Sequence, residues 1–203
     1  MRVLIMAGGE GTRLDLGEKP LVITGDSPMI RRVIDAFSGA GHEPVVVLSP
    51  RTPMTRNWCR VQGITVFQAG GTGYVEDLVE AVEELEETGP VFTCTSDLPC
   101  LTADLIVAIE DAYLSAGTPA LSVWVPEEMI PGSAPMGDYR EVVEGVPAFP
   151  AGINIVTGSG ITAPQEETRL LLRSWRLAFH VNTREDLERV RAAVPGQGRP
   201  GPS

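Results

Sequence analysis

Lysine is almost absent from this chain of 203 residues, where Lys19 stands alone beside fifteen arginines. Cations are scarce altogether: the formal charge is −11 and the isoelectric point near 4.6. A duplex nucleic-acid surface is therefore excluded, because such a surface needs clustered cations to displace counterions from phosphates. Histidine is limited to His42 and His180, neither in a motif. The three cysteines, Cys59, Cys94 and Cys100, are odd in number and match no zinc spacing, so they read as reduced packing thiols. Long apolar runs are missing too. Val3 to Met6 is cut off at once by Gly8 and Gly9, too short for a signal peptide or a membrane span, and a cytoplasmic location is the expectation. Excess acid with a single lysine points to a salt-rich cytoplasm.

What is present is a chain with 43% hydrophobic residues, enough for one substantial core and short for two. Strand-length apolar runs alternate with segments of helical period, the pattern of an α/β fold with a mainly parallel sheet flanked by helices. Strands are expected at 2–6, 44–48, 64–67, 90–95, 119–125, 151–156 and 177–181. Helices are expected after Asp26 or Ser27 with Pro28 in the first turn, at 53–61, at 74–87, after Thr102 as cap, and after a capping box over 183–186. The stretch 126–147, rich in proline, glycine and acids, reads as a long loop near the site. One domain over 1–194 and a disordered tail over 195–203 complete the expectation.

The chemistry is concentrated after the first strand, in Gly8-Gly9-Glu10-Gly11-Thr12-Arg13 followed by Glu18-Lys19-Pro20-Leu21. Glycines there let backbone amides face a phosphate with no Cβ in the way. A Walker loop requires Gly-Lys-Ser/Thr, but Lys19 lies between Glu18 and Pro20. A dinucleotide fingerprint requires a third glycine where Leu14 stands, and an acid where Leu48 and Ser49 stand.

The segment resembles the Gly-Gly-x-Gly-Thr-Arg…Lys-Pro opening of nucleotidyltransferases of the sugar-phosphate and molybdenum-cofactor type. That resemblance implies a single Rossmann-like nucleotidyltransferase domain in which Gly8, Gly9, Gly11 and Thr12 wrap a triphosphate while Arg13 and Lys19 neutralise it. A compact ammonium suits a phosphate slot too tight for a guanidinium fork.

Asp97, in Thr95-Ser96-Asp97-Leu98-Pro99 at a strand's carboxyl end, is placed to hold Mg²⁺ against a triphosphate. Its alternative is an Asx-turn or a helix cap. Gly70 to Asp77 puts a glycine turn at a helix N-terminus. Glu76 or Asp77 could accept both N–H groups of guanine, or could merely complement the helix dipole.

Gly73-Tyr74-Val75-Glu76-Asp77-Leu78, Thr95-Ser96-Asp97, Pro150-Ala151-Gly152-Ile153-Asn154 and Asn182-Thr183-Arg184-Glu185-Asp186-Leu187, in this order, look like archaeal GTP:adenosylcobinamide-phosphate guanylyltransferases. The likeness implies GTP and a phosphorylated corrinoid as substrates, Mg²⁺ as cofactor, and a place in cobalamin nucleotide-loop assembly. It implies a nucleotide near Gly73, Gly152, Asn154 and Asn182. A homodimer stays open beside a monomer, and the acceptor is carried by resemblance alone.

Overall fold

The computed structural model describes residues 1–9, 11, 14, 16–130 and 139–194. Among these residues, an eight-stranded mixed sheet is flanked by helices. The parallel half is formed by β1 (Arg2–Met6), β4 (Glu43–Leu48), β5 (Val66–Gln68) and β6 (Pro90–Thr95). A small antiparallel pair, β2 (Ile23–Thr24) and β3 (Ser27–Pro28), precedes the first helix. The other half is built on β9 (Val146–Thr157), twelve residues long, which runs antiparallel to β6, to β7 (Ala120–Pro126) and to β8 (Glu141–Val143). At the far edge, β10 (Glu167–Leu171) lies parallel to β7.

Period two explains how β1 serves both faces: Val3 and Ile5 join one core, Leu4 the other. The first core takes Ile30, Val33 and Phe37 from α1 (Met29–Gly39), Cys59 from α2 (Pro53–Val61), and Ile106 and Ile109 from α4 (Ala103–Ala116). The second takes Leu78, Ala81 and Val82 from α3 (Tyr74–Glu84). A third cluster packs Leu187 and Val190 of α5 (Arg184–Ala193) on Leu14, Met29 and Val181, closing the chain's end over its first loop. At each of these helices the apolar stripe sets the buried face.

Several boundaries differ from expectation. Pro28 itself is the N-cap of α1, while Asp26 pairs with Arg32. The stretch 126–147 is more than a loop: beyond a 3-10 turn over Glu127–Met129, residues 141–148 form the β8–β9 hairpin, turned at Glu144 and Gly145 with positive φ. Strand β10 has no counterpart in the expected set, because its side chains are at most half-buried and show no clean apolar face. Conversely, 177–181 is no strand; Trp175–Leu177 is a 3-10 turn leading into irregular chain anchored by Val181 N–H on the Asp97 carbonyl at 3.2 Å. The expected box at 183–186 forms, with the Asp186 N–H donating to Thr183 Oγ1 and the Asp186 carboxylate accepting from the Thr183 N–H. The tail 195–203 lies outside the described residues.

Candidate active site

Because β1, β4, β5 and β6 are parallel, their carboxyl ends share one edge and their loops converge there. A cleft at this edge is lined by Gly8 and Gly9 after β1, Arg51 after β4, Gly71 to Tyr74 after β5 and Thr95 to Asp97 at the end of β6. Lys19 lies on its wall.

Hydrogen bonds between loops hold the cleft in shape. Ser49 Oγ donates to the Gly8 carbonyl at 2.6 Å and accepts from the Arg51 N–H, tying the phosphate loop to the turn after β4. Glu18 reaches across to the start of α2, where its carboxylate accepts from the Met54 N–H at 2.7 Å and the Thr55 N–H at 2.6 Å. It thereby satisfies amides that a helix N-terminus beginning with Pro53 leaves without intrahelical partners. Gly11, at φ +65°, presses on the lysine stem; a Cβ there would come within 2.3 Å of Lys19 Cβ. The lysine is thus held by its backbone on one side and by Gly11 on the other.

Its ammonium donates to Asp97 Oδ2 at 2.6 Å and to Asn182 Oδ1 at 2.8 Å. Three residues far apart in sequence therefore meet, and Asn182 serves as a lysine partner. His180 stands on the opposite side of Asp97, its Nδ1 3.4 Å from Oδ1. Burial alone would push the Asp97 carboxyl up, but His180 and Lys19 beside it outweigh that cost and hold it well below the usual carboxylate range. Gly152, at φ +71°, lets β9 pass this cluster: a Cβ would lie 2.7 Å from Thr95 Oγ1 and 3.3 Å from His180 Cε1. Asn154, two residues deeper in the strand, donates to Thr93 Oγ1 at 3.3 Å. Tyr74, exposed as a residue but lining the cleft, also hydrogen-bonds Thr93, and loss of solvent around its phenol pushes it up to about 12.

The two candidate carboxylates for the base differ. Asp77 lines the cleft, and its Oδ1 accepts from the Gly71 and Thr72 amides at 2.9 and 3.0 Å, folding the glycine turn over α3. Glu76 is exposed beside Val75 and Val79 on the outer side of α3, with Oε2 folded toward Gly73. Thr12 and Arg13 lie outside the described residues. No individual role followed from the sequence for Tyr74 and Thr95, which stand inside its motifs, or for Arg51 and His180, which stand outside them. Thr95 was recoverable from its place at a strand's end; His180 carried no signal beyond standing two residues before Asn182.

Asp97 Oδ1 is buried with no hydrogen-bond partner, so a carboxylate oxygen suited to Mg²⁺ is present. Among the described residues no group of three His, Cys, Asp or Glu side chains could hold an ion. The remaining ligands would come from phosphate oxygens and water, as Mg²⁺ at nucleotides commonly requires. No helix among the described residues is long and apolar enough to cross a membrane. The cysteines are free and buried; burial pushes the Cys59 and Cys100 thiols to about 11 and Cys94 well above its ordinary value.

A glycine loop after β1, a buried lysine–carboxylate pair and a glycine turn after β5, all at one sheet edge, define a nucleotidyltransferase, and the chain belongs to the MobA-like NTP transferase family, whose domain model matches residues 3–196. Within it, the chain is 33% identical over 199 residues to adenosylcobinamide-phosphate guanylyltransferase of Methanocaldococcus jannaschii, covering 93% of this chain and 94% of that one. The fold is also that of a hypothetical transferase from Thermus thermophilus (TM-score 0.69, 17% identity, 92% and 98% of the two chains covered). It is likewise that of a CMP:2-keto-3-deoxy-manno-octonic acid synthetase solved with CTP (TM-score 0.67, 14% identity, 95% and 96% covered).

Proposed function

We propose that this nucleotidyltransferase moves GMP from GTP to the phosphate of adenosylcobinamide phosphate, releasing pyrophosphate and forming adenosylcobinamide-GDP. The observation that carries the reading is the Lys19–Asp97–Asn182 cluster beside the glycine loop, in a chain one-third identical to a guanylyltransferase for that acceptor. The acceptor's phosphate oxygen attacks the α-phosphorus, and the bond to the pyrophosphate leaving group breaks. A phosphate monoester has its second pKa at about 6, so near neutral pH the nucleophile needs no general base. Catalysis then rests on alignment and on neutralising two anions.

Gly8, Gly9 and Gly11, with Thr12, cradle the triphosphate. Lys19 exchanges part of its contact with Asp97 for phosphate oxygens, and Arg13 adds a second cation. Asp97 would hold Mg²⁺, which when bound supplies charge neutralisation at the phosphates. The turn from Gly71 to Asp77 receives the base and ribose, with Asp77 shaping it and Gly73 admitting close backbone approach. Gly152 and Asn154 border the site from β9. The assignment describes a cytoplasmic enzyme acting on small molecules, as a monomer or a homodimer.

Calorimetric titration with GTP, ATP, CTP and UTP, followed by pyrophosphate release with adenosylcobinamide phosphate, tests the reading. GTP is expected to bind with clear preference and to yield pyrophosphate only when the corrinoid is added. Turnover with molybdopterin or a sugar phosphate in place of the corrinoid would move the activity to a sister reaction.

A further inference from the structure

Among the described residues the cleft is lined by two cations, Lys19 and Arg51, and they are rooted at different ends of it. Lys19 is bonded at 2.6 Å to Asp97, just past β6, whereas Arg51 follows β4. Along the edge the strands run β6, β1, β4, β5. Neighbouring strands are about 4.8 Å apart, so the root of Arg51 lies roughly 10 Å from the carboxylate and one strand short of the glycine turn after β5. A nucleotide whose phosphates lie on Gly8 and Gly9 beside Lys19 and Asp97, with its base toward Gly71 to Gly73, therefore presents its nucleoside to Arg51.

The turn that carries Arg51 is clamped from both sides. Ser49 Oγ accepts from the Arg51 N–H at 3.1 Å and donates to the Gly8 carbonyl at 2.6 Å, while the Ser49 N–H donates to Thr52 Oγ1 at 3.3 Å. Gly71, at φ +77°, packs on the same turn, where a Cβ would come within 3.0 Å of Pro50 Cδ and 3.1 Å of Ser49 Cβ. The side chain of Arg51 thus leaves a fixed point between the phosphate loop and the turn that receives the base. The carboxylates of that turn are drawn elsewhere: Asp77 Oδ1 accepts from the Gly71 and Thr72 amides, and Glu76 lies on the outer side of α3.

We infer that Arg51 selects the base, its guanidinium donating to O6 and N7 of guanine. The inference rests on the guanylyl transfer proposed above and names the residue that makes the nucleotide GTP. Guanine carries O6 and N7 as adjacent acceptors, which a planar guanidinium fork meets with two parallel N–H groups. Adenine places its N6 amine where O6 would be, so donor meets donor, and a pyrimidine has no N7 at all. The two cations then divide the work by shape. Lys19 brings a compact charge to the phosphates, and Arg51 a flat fork to the ring.

Nucleotide analogues separate the edges of the base. In 7-deaza-GTP a C–H replaces the N7 acceptor, whereas ITP keeps O6 and N7 and lacks only the 2-amino group. Calorimetry would give the Kd of GTP, ATP, ITP and 7-deaza-GTP for the unsubstituted protein and for Arg51→Ala, with thermal melting to verify folding; the residue is exposed, so the variant should fold. The unsubstituted protein should bind ITP within about threefold of GTP and 7-deaza-GTP about tenfold more weakly, the loss of half of a bidentate contact. Arg51→Ala should weaken GTP about tenfold or more, leave ATP within about twofold, and bind GTP and 7-deaza-GTP alike. Equal weakening of GTP and ATP in the variant would assign Arg51 to the phosphates and overturn the inference. So would a loss confined to ITP in the unsubstituted protein, because the amino edge would then be the one that is read. A folded unsubstituted protein with no preference for GTP ends the guanylyl-transfer reading and this inference together; a preference that survives in Arg51→Ala ends the inference alone.

Discussion

At the scale of single residues, the lone lysine shows how sequence and structure share the argument. Its retention among arginines singles it out in the sequence, and the structure supplies a physical reason: Gly11 crowds its stem, while Asp97 and Asn182 approach its single nitrogen at 2.6 and 2.8 Å. A planar guanidinium cannot offer that nitrogen at that place. Lys19→Ala should lower kcat by roughly 10²-fold or more, and Lys19→Arg should recover little of it, both read by pyrophosphate release. Gly152 makes a second case. An alanine there would combine a left-handed φ of +71° with a Cβ 2.7 Å from Thr95 Oγ1. Gly152→Ala is expected to destabilise the fold by roughly 1–3 kcal/mol in denaturant unfolding, since neither strain can be relieved without moving β9. The three thiols should resist iodoacetamide at pH 8 in the native protein and all react after unfolding, because burial keeps them protonated.

Elements were legible where a period and a punctuating residue agreed. Strand β1, α2 and β6 fall at the expected residues because glycine or proline bounds clean apolar patterns. Strand β10 and the β8–β9 hairpin escaped notice because a half-buried edge strand and a hairpin interrupted by glycine and proline lack an alternating buried face. Contacts between elements are illegible in principle, as the 36 residues separating Glu18 from Met54 show. That contact joins two roles, since Glu18 both caps α2 and fixes the backbone next to Lys19. Glu18→Ala should therefore cost about 1–2 kcal/mol in chemical denaturation, the range for losing a helix cap. It should also lower kcat, whereas Thr183→Ala, which breaks the cap of α5, should cost a similar stability with a smaller effect on kcat. Equal losses of kcat in the two variants would show that Glu18 acts through stability alone.

For the whole molecule, a net charge of −11 opposes the binding of two anions, so the few cations at the cleft act against the protein's own field. The mixed sheet was foreseeable from alternating patterns, but the order of strands that brings β9 beside β6 was not, and with it went the meeting of Asp97, Asn182 and His180. This cluster also ties stability to pH. Asp97 is held ionised well below the usual carboxylate range, with Lys19 and His180 overcoming the cost of burial, while an unfolded aspartate titrates at about 3.9. A depressed carboxyl contributes stability that is complete above its unfolded pKa and is lost as pH falls toward its folded value. Asp97→Asn keeps the shape but leaves Lys19 without its carboxylate, so the variant should melt lower than the parent at neutral pH and show no metal-dependent turnover. The difference in unfolding free energy between the two should be constant from about pH 7 to pH 5 and should shrink below about pH 4, as protons bind the parent's unfolded chain first. A difference that instead grows with acidity would mean that the lysine–carboxylate pair costs the fold more than it returns.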